Sequence, residues 1–254
     1  MKTSALTDQI SHFGTFLKTT IVIPTYNEAI NLPILVDKLF ELPLQNLSIL
    51  VVDDNSPDGT GAIADDLCKK TNGRVQVMHR AGKLGLGTAY IQGYRQAIRE
   101  GADAVGQMDA DFSHPPEKIV ELVKTLETCD MALGSRYVPG GKLDENWPFW
   151  RKALSVFGNF YARTILGLPL RDVTGGFRLW KKETLTTMPL DRIRSNGYVF
   201  QVEMAYVATK LGFKFKEIPI YFADRRWGES KMSMKIQVEA AIRVWQLPGL
   251  YRDL

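Results

Sequence analysis

The feature that most restricts the fold is an alternation, through the first 135 residues, of short β-branched runs with stretches of helical periodicity. "TTIVIPTYNE" is followed by a helix from about Leu32, "LSILVVDDNS" by one from about Gly59, and "RVQVMHR" by one near Thr88–Glu100. "DAVGQMDAD", a helix after Pro116 and "DMALGSRY" complete the series. Five strands separated by helices predict an α/β domain built on a doubly wound, mostly parallel sheet. In such sheets the ligand sits beyond the carboxyl ends of the strands. The unusual residues fall there: Pro24-Thr25-Tyr26-Asn27-Glu28, Asp53-Asp54-Asn55-Ser56, Asp109-Ala110-Asp111 and Gly134-Ser135-Arg136.

With 45% hydrophobic and 24% charged residues, the 254-residue chain has the composition of an ordinary globular protein with a sizeable core. Two cysteines, Cys68 and Cys129, fit neither a disulfide framework nor a metal-binding spacing, and the start of the chain shows no signal-peptide pattern, so a reducing, cytosolic compartment is expected. No uncharged run reaches the length of about eighteen residues needed to span a bilayer. The net charge of +4 hides an asymmetry. Residues 1–135 carry 12 Lys+Arg against 17 Asp+Glu, and residues 136–254 carry 20 against 11, so the halves stand at −5 and +9. An acidic half that holds a cation and a basic half that faces phosphates or an anionic surface would explain this, as would scatter.

The second half is less regular. From about Ser230 a helical reading puts Lys231, Lys235, Glu239 and Arg243 on one stripe, opposite Met234, Ala241, Val244 and Trp245, as expected of an amphipathic surface segment. A single domain is expected, with residues 1–18 as an N-terminal extension.

The stretch "GQMDADFSHPPE" carries the chemistry. If Asp109 ends a strand and Asp111 follows it in extended conformation, both carboxylates point to the same side. Two hard oxygen ligands that leave most positions open suit Mg²⁺ or Mn²⁺, with water and a substrate diphosphate completing the shell. Pro115-Pro116 then ends the extended run and starts the helix "EKIVELVKTLE". An isolated Asp-x-Asp is usually a polar loop, but here three other strand ends carry acids or Arg on the same rim. "AGKLGLGTAY" (residues 81–90) lacks the G-x-x-x-x-G-K-[ST] arrangement and reads as a flexible loop. An aspartyl-nucleophile phosphatase would carry its D-x-D on the first strand. His114 reads as a loop residue or helix cap in preference to a ligand or base, and His12 and His79 take no role.

Together "VIPTYNE", "VVDDNSPDGT", "KLGLGTAY", "MDADFSHPPE", "GSRY", "VTGGFRLW", "NGYVFQVEM" and "DRRWGESKMS" resemble the dolichol-phosphate (polyprenol-phosphate) mannosyltransferases, within the family 2 glycosyltransferases of GT-A fold. The resemblance runs from about Thr20 to Ser233. The first motifs and the D-x-D are generic to family 2; the string from "SPDGT" to "GESK" is more specific. It implies that Pro24, Tyr26, Glu28, Val52 and Asp54 meet the nucleoside of a nucleotide sugar. Asp109 and Asp111, flanking Ala110, would hold the metal and diphosphate. Arg225 and Lys231 would lie over the donor phosphates, and Arg136, Arg151 and Ser155 around the acceptor phosphate. Some relatives carry Gln two residues after the second aspartate; this chain has Ser113, whose shorter hydroxyl would reach a metal through a water. Many prokaryotic relatives continue into transmembrane helices, and this chain resembles the compact members.

The reaction so implied is transfer of mannose from GDP-mannose to dolichyl or polyprenyl phosphate, inverting the sugar centre to a β linkage, with Asp111, Arg136, Arg225 and Lys231 as the central residues. Localisation would be peripheral, on the cytosolic face of a membrane, with small membrane-anchored partner subunits as one use of the basic C-terminal segment. The rivals are transfer of glucose or another sugar from a UDP-sugar, and a non-catalytic scaffold of the same fold. Basic residues interleaved with aromatics on a stripe, as nucleic-acid binding requires, are not evident.

Overall fold

The computed structural model describes residues 17–224 and 234–254. Strands β1 (Thr19–Thr25), β2 (Leu47–Asp53), β3 (Val75–His79) and β4 (Ala104–Gln107) alternate with helices α1 (Asn31–Phe40), α2 (Thr60–Lys70) and α3 (Leu86–Arg99). Helix α4 (Lys118–Thr125) leads to β5 (Met131–Ser135), and β6 (Lys142–Leu143) precedes the long α5 (Phe149–Leu166). Then come β7 (Arg178–Lys181), α6 (Lys182–Thr187), α7 (Gly197–Lys210), β8 (Phe215–Pro219), β9 (Tyr221–Phe222) and α8 (Met234–Leu250). Among the described residues no helix is long and apolar enough to cross a membrane.

The central sheet has seven strands in the order β3-β2-β1-β4-β7-β5-β8. It is parallel except for β7, which runs antiparallel to both β4 and β5. The mostly parallel sheet expected from the sequence is the one that forms, with β5 separated from β4 by the antiparallel β7 of the second half. The order 3-2-1-4 reverses its direction of winding between β1 and β4, and it is at such a reversal that the diverging crossovers open a crevice at the carboxyl edge.

The inner strands read as continuous apolar runs because both faces are covered. The pleat assigns alternate residues to opposite sides. Ile21, Ile23, Ile49 and Val51 join Leu35, Leu122 and Phe177 on one face. Val22, Leu50 and Val52 join Tyr90, Tyr94, Trp180 and Phe200 on the other. Helix α3 lies close on this second face; a Cβ at Gly93 would collide with Val22. Helix α3 begins at Leu86, so only residues 81–85 of the glycine-rich stretch form the loop expected for residues 81–90.

The C-terminal helix is less of a surface element than its charge stripe suggests. Val244, Leu247 and Tyr251 are buried in the second-face cluster, whereas Trp245, expected on the apolar side, is 66% exposed. The packing stripe follows i, i+3, i+7, which rotates Trp245 outward. The Tyr251 hydroxyl donates to Glu203, a fully buried acid of α7, at 2.8 Å, and Glu203 also accepts from the backbone N–H of Ser195 at 2.8 Å.

Candidate active site

Two loops form the β1 and β2 side of the carboxyl edge, and they are stitched to each other. The Asp53 carboxylate accepts from the hydroxyls of Thr25 and Ser56 at 2.9 and 2.6 Å. The backbone N–H groups of Asn27, Glu28 and Ala29 donate to Ser56, Thr60 and Asp58. Asn27 and Asn55 sit at positive φ, which short side chains able to bond locally tolerate. Pro24 and Tyr26 are part-exposed on this rim, and the Lys83 ammonium lies 4.5 Å from the centre of the Tyr26 ring. Val52 is wholly buried in the second-face core, between its partners in β1 and β3. Asp54 pairs with Arg80 at 2.6 Å, and Arg80 also donates to Thr88 at 2.5 Å. Burial, reinforced by neighbouring Asp53, raises the Asp54 carboxyl above the ordinary carboxylate range even against the pull of Arg80.

Strand β4 ends at Gln107, so Asp109 lies two residues beyond the strand and does not end it. The following chain turns sharply: Phe112 has φ 64°, an unusual conformation for an aromatic residue and one found where surroundings impose it. The buried Ser113 ties the turn, donating its hydroxyl to Asp111 Oδ1 at 2.6 Å and its backbone N–H to the same oxygen at 3.0 Å. Tyr90 of α3 donates its hydroxyl to Asp109 Oδ1 at 3.1 Å. Burial first, and the Asp109 charge second, push the Tyr90 phenol well above its usual range, so it remains a donor. Both carboxylates act electrostatically on Tyr90 and on His114, which puts them in one neighbourhood.

His114 lies in the loop between β4 and α4, as expected, and its contacts there are specific. Its Nδ1 accepts the backbone N–H of Asp109 at 3.1 Å, and its buried ring stacks on Phe177 with centroids 5.1 Å apart. Burial holds the imidazole below its ordinary pKa, so the neutral form braces the main chain of the aspartate pair. Among the described residues no group of three or more His, Cys, Asp or Glu side chains is arranged to hold a metal. Two carboxylates are the hard oxygen donors that a divalent cation such as Mg²⁺ or Mn²⁺ accepts, and a site of two would leave its remaining positions to water and substrate oxygens.

Beyond β5 the acceptor candidates come together unequally. Arg136 is buried and its fork is taken by Asp172: Nε and Nη2 each donate to a separate carboxylate oxygen at 2.7 Å, and Nη2 also reaches Thr174 at 2.7 Å. Burial pushes the fully enclosed Asp172 carboxyl up, but the Arg136 charge and hydrogen bonds more than cancel this and hold it below its ordinary value. Arg151 lies 3.7 Å from the centre of the Trp147 ring and reaches Asp224 at 3.2 Å; Ser155 shares a hydrogen bond of 2.7 Å with the Tyr137 hydroxyl. The Asp224 backbone N–H is anchored on Asp144 at 2.8 Å. Arg225 and Lys231 lie outside the described residues.

The residues that sequence reasoning missed are the supports: Tyr90, Ser113 as a brace, His114 as a brace, Asp172, and Arg178. Arg178 is enclosed and donates to the carbonyls of Gly175, Gln201 and Val173 at 2.8–2.9 Å, with burial pushing its pKa down to about 10. Asp172 stands immediately before "VTGGFRLW", and an acid abutting that motif was the available signal.

With this geometry in view, comparison with known proteins gives a consistent answer. The model for glycosyl transferase family 2 matches residues 20–187. A polyprenol monophosphomannose synthase of Mycolicibacterium smegmatis is 44% identical over 235 residues, covering 91% of this chain and 88% of the relative. An undecaprenyl-phosphate mannosyltransferase of Micrococcus luteus is 44% identical over 240 residues, covering 94% and 98%. The fold is shared with the mannosyltransferase PcManGT of Pyrobaculum calidifontis, solved with GDP-Man and Mn²⁺, at a TM-score of 0.59 and 19% identity over 94% of this chain and 70% of that one.

Proposed function

From the premise that the chain belongs to glycosyl transferase family 2, we propose that it transfers mannose from GDP-mannose to a polyprenyl phosphate, inverting the anomeric centre to a β linkage. Its relatives over nearly the whole chain are mannosyltransferases of polyprenyl phosphates. The observation that carries the reading is the braced aspartate pair at the β1/β4 reversal, one carboxylate held by Tyr90 and the other by Ser113.

In this reading Asp109 and Asp111 would hold Mg²⁺ or Mn²⁺, whose positive charge would offset the negative charge of the departing diphosphate. The residues do the rest. Tyr26, with Lys83 over its ring, and the stitched loops around Pro24, Glu28, Val52 and Asp54 form the floor for the nucleoside. Arg225 and Lys231 neutralise the leaving diphosphate in a site poor in water. The acceptor oxygen is anionic at neutral pH, so no general base is needed, and His114, neutral and engaged at Nδ1, is not offered as one. Arg136, whose fork is shared with Asp172, would meet the acceptor phosphate together with Arg151 and Ser155; a guanidinium suits phosphate in a way an ammonium does not. The work is done at the cytosolic face of a membrane.

The test is to incubate the purified protein with Mg²⁺ or Mn²⁺, a short polyprenyl phosphate and radiolabelled GDP-mannose or UDP-glucose in parallel, and to count label extracted into organic solvent. Label from GDP-mannose alone, lost in Asp111→Ala, is the expected result. Label from UDP-glucose alone would overturn the donor assignment, and none from either would overturn the proposed activity.

A further inference from the structure

Helix α5 ends at Gly167, whose φ of 62° reverses the chain, and residues 168–173 come back along the buried side of the helix. There the Asn159 carboxamide does what a neighbouring strand would do. Its Nδ2 donates to the Arg171 carbonyl, and its Oδ1 accepts the Val173 N–H at 2.8 Å. Glu217 of β8 accepts the N–H groups of Arg171 and Asp172 at 2.7 and 2.9 Å, one on each carboxylate oxygen. Arg178 donates to the Val173 carbonyl at 2.8 Å. Five backbone groups of three consecutive residues are therefore held by side chains. The residue at their centre, Asp172, is the wholly buried acid that grips Arg136.

A clamp of this kind would also serve the fold alone, and its placement is what gives it a further part. At about 100° per residue, Arg151, Ser155 and Asn159 drift by only about 80° in all and share one stripe of α5, with Ala162 and Leu166 falling inside it. Asn159, Ala162 and Leu166 are the residues this helix buries. The stripe thus carries the clamping amide at its buried end and two acceptor-phosphate candidates toward its start. We infer that Asn159 is a positioning residue for the acceptor phosphate: pinning α5 to residues 171–173 fixes Arg151 and Ser155, which ride on the helix, at a set separation from Arg136, which Asp172 holds. The inference rests on the proposed function, from which the acceptor roles of these three residues are taken. A carboxamide is the side chain the position calls for, because it offers a donor and an acceptor on neighbouring atoms; alanine offers neither, and a carboxylate only accepts. Arg151 and Arg136 belong to different elements, and a misplacement of about 1 Å between groups that must grip one phosphate costs up to about a hundred-fold in rate.

Calorimetric titration of the purified full chain with a short polyprenyl phosphate, in the presence of GDP and Mn²⁺ so that no sugar is transferred, reads the acceptor site by itself. Asn159→Ala should raise the acceptor Kd by at least about ten-fold and leave the Kd for GDP, titrated separately with Mn²⁺, unchanged. Leu166→Ala removes buried contacts from the same stripe and leaves the pin whole, so it controls for simple loss of stability. Its urea midpoint should fall, and its acceptor Kd should stay where it is. Combined with Arg151→Ala, the Asn159 change should add much less than it does alone, because the separation ceases to matter once one of the two grips is gone. If Asn159→Ala does not fold, Asn159→Asp carries the test: it is nearly equal in volume, keeps the acceptor for Val173, loses the donor to Arg171, and should shift the acceptor Kd in the same direction. An acceptor affinity indifferent to Asn159, equal losses in Asn159→Ala and Leu166→Ala, or strict additivity with Arg151→Ala would each overturn the inference and leave Asn159 a staple of the fold. Parallel transfer assays keep the two readings apart. A wild type whose acceptor binding depends on Asn159 but which transfers no mannose sinks the proposed reaction alone; transfer from GDP-mannose with an acceptor Kd indifferent to Asn159 sinks the pin alone; a wild type that binds no polyprenyl phosphate sinks both.

Discussion

The Tyr90 hydroxyl is placed to set the position of Asp109, and the consequence is measurable. In Tyr90→Phe the ring still fills its wholly buried site, so the thermal midpoint should move little, whereas Asp109 loses a donor that it holds at 3.1 Å. A hydrogen bond to a charged group is worth about 1.5–3 kcal/mol, so the Mn²⁺ concentration for half-maximal activity should rise roughly ten-fold; an unchanged metal titration would show that Tyr90 only packs. Asp172 makes a different prediction. Removing one partner of a buried ion pair costs about 3–5 kcal/mol, so Asp172→Ala should lower stability by that order, read as a shift in urea midpoint. Because the folded-state pKa of Asp172 is depressed, its contribution is present above the unfolded carboxylate value of about 3.9 and is lost as pH falls through the lower folded value. The wild type should therefore lose stability steeply below about pH 4, and Asp172→Asn should show a shallower slope there. At this scale the sequence displays ligands better than supports. Asp109 and Asp111 stand out by spacing, but Tyr90 is one apolar-face residue of an ordinary helix until α3 packs it under β4. Arg136 is legible as an arginine at a strand end, yet nothing local announces that Asp172, far along the chain, occupies its fork.

Elements were legible where their pattern is intrinsic and obscure where partners decide. β1 and β2 announce themselves as continuous apolar runs, and α1, α2 and α4 fall close to their expected positions. β7 does not: "RLWK" is four residues long, and its strand character comes from pairing antiparallel with β4 and β5. The helical nature of the C-terminal segment is readable from periodicity, but the side it buries is set by α7 and α5. That packing carries its own prediction. Leu247 is fully buried, and truncating such a leucine to alanine costs about 2–5 kcal/mol. Tyr251→Phe leaves the Glu203 carboxylate short of one donor in a fully buried site, at a cost of about 1–3 kcal/mol. Both should appear as lowered thermal midpoints, and Glu203→Gln combined with Tyr251→Phe should cost less than the sum of the two single changes, since they remove one interaction. Strict additivity would show that the hydrogen bond does not couple α7 to α8.

For the whole molecule, the position of β7 decides how the chain folds. The two halves differ by composition, −5 against +9, and sequence alone would allow an acidic nucleotide-binding half and a basic half that fold separately. The sheet forbids it. β4 and β5 belong to residues 1–135, yet they meet only through β7 from residues 136–254, and β5 takes its other neighbour, β8, from there as well. A fragment ending at residue 135 would carry β4 with one open edge and β5 with two, bare backbone that folded proteins cover or pair. It would also lose Trp180, Phe200 and Leu247 from the second-face core. Neither half should therefore fold alone, and the intact chain should unfold in a single transition. The chain offers its own check, because all five tryptophans, at 147, 150, 180, 227 and 245, lie in the second half. Tryptophan fluorescence reports that half, whereas far-ultraviolet circular dichroism reports the whole. If the strand exchange binds the halves into one unit, the two urea curves should superimpose. A fluorescence transition that clearly precedes the dichroism would show that the basic half opens while the β1–β4 core persists, and the single cooperative unit would then have to be given up.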